Sequence, residues 1–299
     1  MRVVSVGECM VELSGAGQGL WRQAFAGDTF NTAWYLRALM PGDAQVDYLT
    51  CVGRDGISQA MLDFIAGAGI GTDCITCHPT RAPGLYMIDL KDGERSFTYW
   101  RDSSAARCLA DDPDHLARSF EGADLIYFSG ITLAILTPDR RQALLAALKA
   151  APGRVAFDSN MRLRLWSDRS EMCDWIARAA AVANIALPSF EEESQFFGDA
   201  APRVTAERYL NAGASEILVK NGGEDMLGHL DGQWLDLPCG TRVTPVDTTG
   251  AGDSFNGGYL SARLAGLDMA QAAQRGHATA SRVVMQPGAL IARDMLVGK

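Results

Sequence analysis

Residues 247 to 258 read Asp-Thr-Thr-Gly-Ala-Gly-Asp-Ser-Phe-Asn-Gly-Gly, and the rest of the chain is organised around them. Gly250, Ala251 and Gly252 are small enough to let the backbone turn with its N–H groups pointing one way. Beyond them Phe255, Tyr259, Leu260 and Leu264 recur at helical spacing. The turn therefore opens a helix, where orphan N–H groups and the helix dipole favour a bound anion. Asp253 stands inside that anion hole, where a carboxylate repels phosphate. Two readings account for it. One is a glycine-rich turn with an Asp cap. The other is a base that takes the proton of a hydroxyl attacking phosphorus.

Working outward, 299 residues suit one large α/β domain spanning 1–299. Strands alternate with helices, which implies a doubly wound, mostly parallel sheet that binds ligands at the C-terminal ends of its strands. A net charge of −9 argues against nucleic acid or an anionic membrane as the main partner. An anionic substrate would have to be held by a few local arginines. Arg178 and Asn184 interrupt the longest apolar stretch, so no membrane span is expected, and the N-terminus lacks the apolar core of a signal peptide. Seven scattered cysteines fit reduced thiols in a cytoplasm.

Val3 to Val6 reads as a buried central strand and Met10 to Leu13 as a second, short one. The loop Gly15 to Gly19 never completes Gly-x-Gly-x-x-Gly, because Leu20 and Arg22 stand where the third glycine belongs; a dinucleotide-binding crossover is not expected. Phe30, Ala33, Trp34 and Leu36 mark a helix after Ala26, with Asp28 and Asn31 either as cap and solvent-facing side chain or as ligand groups. Val46 to Val52 is a strand, and Asp55 caps a helix through Ala68. Cys74 to His78 spells a haem-attachment pattern, but its β-branched residues and the lack of an export signal favour a strand. No second ligand pair supports zinc there.

Leu85 to Leu90 and Arg95 to Arg101 flank Asp92-Gly93, a hairpin signal. Alternation puts Phe97, Tyr99 and Arg101 on one face, and Tyr86, Ile88 and Leu90 share another. Such a hairpin is either an ordinary edge or a cover over a polar ligand. Further on, residues 125–129, 155–158, 184–187 and 216–220 read as strands, and 226–230 with 233–237 as a second hairpin. Helices run from Pro138 through Ala150, near 171–183, after a Ser189 cap into Glu191-Glu192-Glu193, and near 268–286 with His277 on it.

The opening stretch resembles Asp-Thr-x-Gly-Ala-Gly-Asp-x-Phe, the C-terminal motif of the ribokinase-like (PfkB) sugar kinases. The resemblance implies that Gly250, Ala251 and Gly252 form the anion hole for the transferred phosphoryl group and that Asp253 is the base. Asp247 and Thr249 match positions that hold a monovalent cation, potassium, in part of the family. Gly27, Asp28 and Asn31 match the family's contacts to sugar hydroxyls, although Ala26 replaces its first glycine. Strands near 9–14 and 84–101 would form a lid and a homodimer contact. Lys220, Gly222 and Gly223 match the nucleotide loop, and His277 an adenine-side contact for ATP. The family's Asn-x-x-Glu for Mg²⁺ is absent; either Glu191 or Glu192 would serve in its place, or the three carboxylates only favour a helix N-terminus.

Within the family, Gly84-Leu-Tyr86, Phe97-Thr-Tyr99-Trp100-Arg101, Ser129-Gly130-Ile131 and Asp158-Ser-Asn160-Met-Arg162 are most similar to the 2-keto-3-deoxygluconate kinases. This implies a sugar-acid site of Tyr86, Tyr99, Arg101, Ile131 and Arg162, with the two arginines on the carboxylate and Arg164 out of contact. The implied reaction is ATP-dependent transfer to the C6 hydroxyl. Alternatives are a kinase of the galactose-series epimer, a fructokinase, or a silent sensor of sugar acid or nucleotide. No Walker A, His-Arg-Asp or Asp-Phe-Gly sequence occurs, so neither a P-loop enzyme nor a protein kinase is expected.

Overall fold

The structure is a computed structural model. It describes residues 1–91 and 94–296, with the backbone alone for residues 90, 91, 94 and 95. The Asp92-Gly93 turn and the Leu90 side chain therefore lie outside the described residues. In chain order the elements are β1 (Arg2–Val6), β2 (Met10–Gly15), β3 (Trp21–Ala26), α1 (Asp28–Leu39), β4 (Gln45–Val52), α2 (Gly56–Gly67), β5 (Ile75–Cys77), β6 (Leu85–Lys91) and β7 (Glu94–Trp100). There follow α3 (Pro113–Phe120), β8 (Leu125–Ser129), α4 (Gly130–Ala134), α5 (Pro138–Ala150), β9 (Arg154–Asp158), α6 (Arg169–Ala180), β10 (Ile185–Ala186), α7 (Phe190–Phe197) and α8 (Pro202–Ala212). The chain ends with β11 (Glu216–Val219), β12 (Met226–Leu230), β13 (Gln233–Leu237), α9 (Ala251–Leu264) and α10 (Met269–Val284).

Among the described residues one nine-stranded sheet runs β13-β12-β11-β10-β9-β8-β1-β4-β5. Its strands pair in parallel from β11 to β5, while β12 and β13 are antiparallel. Central strands are buried on both faces and so read as unbroken apolar runs. Strand β8 shows why: Ile126 and Phe128 enter one core, with α3 to α6 and α8, while Leu125 and Tyr127 enter the other, with α1, α2, α9 and α10. Two elements differ from their sequence reading in detail. Ser189 stands at the start of α7 but makes no capping bond, and Asp168 rather than a residue near 171 starts α6, accepting from the Glu171 N–H at 2.9 Å. No helix among the described residues is long and apolar enough to cross a membrane.

A second, four-stranded sheet has the order β3-β2-β6-β7. Pairs β2/β3 and β6/β7 are antiparallel and β2/β6 is parallel. Strand β3 has no counterpart in the sequence reading. Its first three residues are exposed and only Phe25 and Ala26 are buried, so no alternation announces it. The turn before it is visible only in the backbone, where Gly17, Gln18 and Gly19 all have positive φ. This sheet faces the C-terminal ends of β1, β8, β9 and β11, and the space between them is the site.

Candidate active site

Gly250 precedes α9 with a left-handed φ of 75°, and a Cβ there would lie about 3.0 Å from the Ala289 carbonyl oxygen. Glycine is required on both counts. The first turn of α9 then presents N–H groups that have no intrahelical acceptor. An ideal Cβ on Gly252 would lie 3.8 Å from Lys220 Nζ, so an ammonium group stands beside the anion hole. Asp253 is half-buried in that first turn. Its Oδ2 accepts from Asn31 Nδ2 at 2.8 Å, and its carbonyl accepts from Thr32 Oγ1 at 3.2 Å. Burial above all, together with the carboxylates of Asp28 and Asp158, pushes the Asp253 carboxyl up to about 7. The Asn31 bond and Lys220 oppose that rise.

Asp28 does not cap α1; Gly27 holds the cap position. The Asp28 carboxylate instead accepts from Ser129 Oγ at 2.5 Å and Asn160 Nδ2 at 2.9 Å. Burial raises its pKa, against the Ser129 bond. Asn31 is buried rather than solvent-facing, and it donates to the Asp253 carboxylate. Asp158 ends β9 and accepts from Lys220 Nζ at 2.7 Å and Asn256 Nδ2 at 2.6 Å. Lys220, expected to contribute a loop backbone, thus also sends its side chain across to the end of β9. Sequence reading did not single out Ser129, Asp158, Asn160 or Asn256 as site groups. The signal was the Asp158-Ser-Asn160 spacing directly after a strand, where Asn160 takes a positive φ of 28°.

The lid supplies an aromatic wall. Tyr86 and Tyr99 stack with centroids 5.7 Å apart, and Phe97 lies 6.3 Å from Tyr99. Arg101 is buried and ion-paired with Glu8, and the Tyr86 hydroxyl donates to Glu12. Arg162 is ion-paired with Glu192, whose second oxygen accepts from the Met161 N–H at 2.9 Å. Each expected carboxylate-binding arginine therefore already has an internal partner. Arg164, expected out of contact, stacks its guanidinium 4.1 Å from the Tyr99 ring centre and lines the same cavity.

That cavity encloses about 560 Å³. The lid residues Tyr86, Tyr99 and Arg101 form one side, with Ile131 and Arg162 beside them. Gly27, Asp28 and Asn31 form the floor, and Gly250, Ala251, Gly252 and Asp253 close one end. Lys220, Gly222 and His277 line it as well. Gly223, Glu191 and Asp247 do not. Glu191 borders a neighbouring hollow across the Arg162–Glu192 pair. Asp247 lies behind the anion hole, accepting from Thr249 Oγ1 at 2.8 Å and the Gly288 N–H at 2.5 Å. His277 Nε2 lies 3.3 Å from the Thr241 carbonyl oxygen. Among the described residues no three His, Cys, Asp or Glu side chains converge as a metal cage.

A carboxylate at a helix N-terminus, facing polar groups across a cavity, is an arrangement that suits phosphoryl transfer to an alcohol. Comparison with known proteins agrees. The 2-dehydro-3-deoxygluconokinase of Escherichia coli K12 is 38% identical, over 99% of this chain and 98% of its own length. That of Dickeya dadantii is 39% identical, over 97% and 96%. A PfkB protein of Polaromonas sp. JS666 superposes with a TM-score of 0.86 at 26% identity, over 99% and 98%. The model of the pfkB family carbohydrate kinases matches residues 1–294, and the chain belongs to that family.

Proposed function

We propose that the chain is an ATP-dependent kinase that phosphorylates 2-keto-3-deoxy-D-gluconate (2-dehydro-3-deoxygluconate) on its C6 hydroxyl. The observation that carries this reading is the placing of Asp253, inside the α9 anion hole and in one cavity with an arginine-bearing lid. The names of the relatives supply the acceptor. Asp253 takes the proton of the C6 hydroxyl as the O6–P bond forms. The bond from the γ-phosphorus to the bridging oxygen breaks, and ADP leaves. The N–H groups at the start of α9 stabilise charge on the phosphoryl oxygens. Lys220 adds its charge at the same end of the cavity. Lid closure excludes water, which would otherwise compete with the sugar.

Glu192 is the carboxylate placed to hold a hydrated Mg²⁺, since it lines the cavity and Glu191 does not. The ion would supply neutralising charge between the phosphates. Arg162 holds the sugar acid's carboxylate, for which its half-exposed guanidinium is accessible. Arg162→Ala is expected to raise KM for the acid by about 10- to 100-fold, with a smaller effect on kcat. Coupled ADP release with 2-keto-3-deoxygluconate, its galactose-series epimer, fructose and ribose tests both statements. Turnover of a neutral sugar alone would exclude the acid as substrate, and an unchanged KM would remove Arg162 from the carboxylate.

Asp247 and Thr249 form the oxygen-rich corner assigned to potassium; equal rates in potassium and sodium salts would remove that assignment. The lid makes the homodimer contact. Its edge strands β3 and β7 carry Trp21 and Trp100, 41% and 54% exposed. Pairing two lids would cover both. Light scattering at micromolar concentration should report a dimer, and Trp100→Lys should shift it to monomer. A wild-type monomer would exclude the contact.

A further inference from the structure

Glu8 follows β1 after Gly7, and Arg101 directly follows β7. They meet across 93 residues of chain, with Arg101 Nη2 donating to Glu8 Oε2. Glu8 is 2% exposed and Arg101 6%. The pair is nonetheless incomplete. The second carboxylate oxygen, Glu8 Oε1, and the guanidinium Nε are both buried without a hydrogen-bond partner. The backbone closes tightly on them: a Cβ at Gly84 would lie 2.8 Å from Glu8 Oε1. Both residues line the cavity. Buried polar groups in folded chains are nearly always paired, so one unmet acceptor beside one unmet donor marks a place for a ligand that carries the complement of both.

We propose that Glu8 determines acceptor specificity by reading the C4 hydroxyl of the sugar acid, an inference that rests on the substrate class given above. Arg101 Nε donates to the substrate carboxylate, and Glu8 Oε1 accepts the hydroxyl. An ionised carboxylate can only accept. In a 2-keto-3-deoxy acid C2 is a ketone and C3 a methylene, so the first hydrogen-bond donor beyond the carboxylate is on C4. The ketone oxygen, an acceptor, is turned away from Glu8. C4 is also the carbon at which the gluconate and galactonate series differ. One epimer satisfies Oε1 and the other leaves it buried and unpaired.

The test deletes the hydroxyl from the substrate as well as the carboxylate from the protein. Wild-type enzyme is assayed with 2-keto-3-deoxygluconate, its C4 epimer and the 2-keto-3,4-dideoxy acid. Glu8→Gln is assayed with the same three. In that variant the amide oxygen must face Arg101, which places an NH₂ donor where Oε1 stood. Wild-type kcat/KM should fall about 100-fold without the C4 hydroxyl. In Glu8→Gln the loss should fall on the preferred epimer alone, so that its advantage over the other two acids collapses to within a few-fold. Equal losses for all three acids would reduce Glu8 to a support for Arg101 and overturn the proposal. So would wild-type enzyme that handles the dideoxy acid as well as the parent, a result that needs no variant to fold. Absence of turnover with every 2-keto-3-deoxy acid would overturn the substrate reading together with it.

Discussion

Asp253→Asn is expected to lose about three orders of magnitude in kcat and, above pH 7, to melt at a higher temperature than the wild type. The two effects share one cause. Burial and the neighbouring Asp28 and Asp158 raise the Asp253 carboxyl from 3.8 to about 7 in the folded chain. Between those values the folded protein holds a proton that the unfolded chain has released. The stability this group contributes is therefore full below pH 3.8 and lost as pH rises through about 7. A shift of about three units corresponds to about 4 kcal/mol; solvent screening of a half-buried group reduces the expected gain to about 1–2 kcal/mol. For a chain of this size that is a Tm rise of about 2–6 °C at pH 8 and little change at pH 3.5. The free enzyme should show an acid limb in kcat/KM centred near pH 7, and Asp28→Asn should move it to lower pH. Near-normal kcat in Asp253→Asn would remove the base. A lower Tm at pH 8 would remove the electrostatic account and leave only a packing role.

Lys220→Met is expected to be the most damaging single change to stability among the site residues. Lys220 and Asp158 are paired at 2.7 Å with side chains only 12% and 5% exposed. Removing the ammonium leaves a buried carboxylate with Asn256 and the Asn160 N–H as donors but no cation. Breaking one side of such a pair costs about 3–5 kcal/mol. The same change removes a charge that lowers the Asp253 pKa, so the acid limb should also move to higher pH. Urea unfolding measures the first effect and the pH–rate profile the second. Adding Asp158→Asn to Lys220→Met should restore most of the stability, because the amide needs no counter-charge. A loss below about 1 kcal/mol in the single variant would mean that water reaches Asp158 and that the ion pair is not the local support.

The parts of this fold that were legible in sequence are those where one local pattern suffices. The short, mostly apolar runs of β1 and β8 announced strands. The positive φ of Asp231 and Gly232 makes the turn that their sequence signals between β12 and β13. The turn at the start of α9 followed from small residues before a helical repeat. What remained hidden depends on partners distant along the chain. Glu8 and Glu12 look like ordinary carboxylates in a short strand region, yet they receive Arg101 and Tyr86. Arg101 and Arg162 were read as free charge awaiting a substrate. In a chain of net charge −9, internal carboxylates reach them first. The contact of Arg164 with an aromatic face on the lid was hidden because helix or strand periodicity does not encode it. Strand β3 has no periodicity of its own and exists because β2 offers it an edge.

Helix α1 has a consequence for how this scaffold can be altered. Its first turn carries both Asp28, tied to Ser129 and Asn160, and Asn31, tied to Asp253. Under the proposed reaction, the group assigned to the sugar and the group that aims the assigned base thus sit on one rigid piece, three residues apart and on the same face. The lid, proposed to grip the opposite end of the acceptor, belongs to a separate sheet. Grafting a foreign lid should therefore exchange the acceptor while leaving proton transfer in alignment. Shifting α1 by a single residue would spoil both functions together.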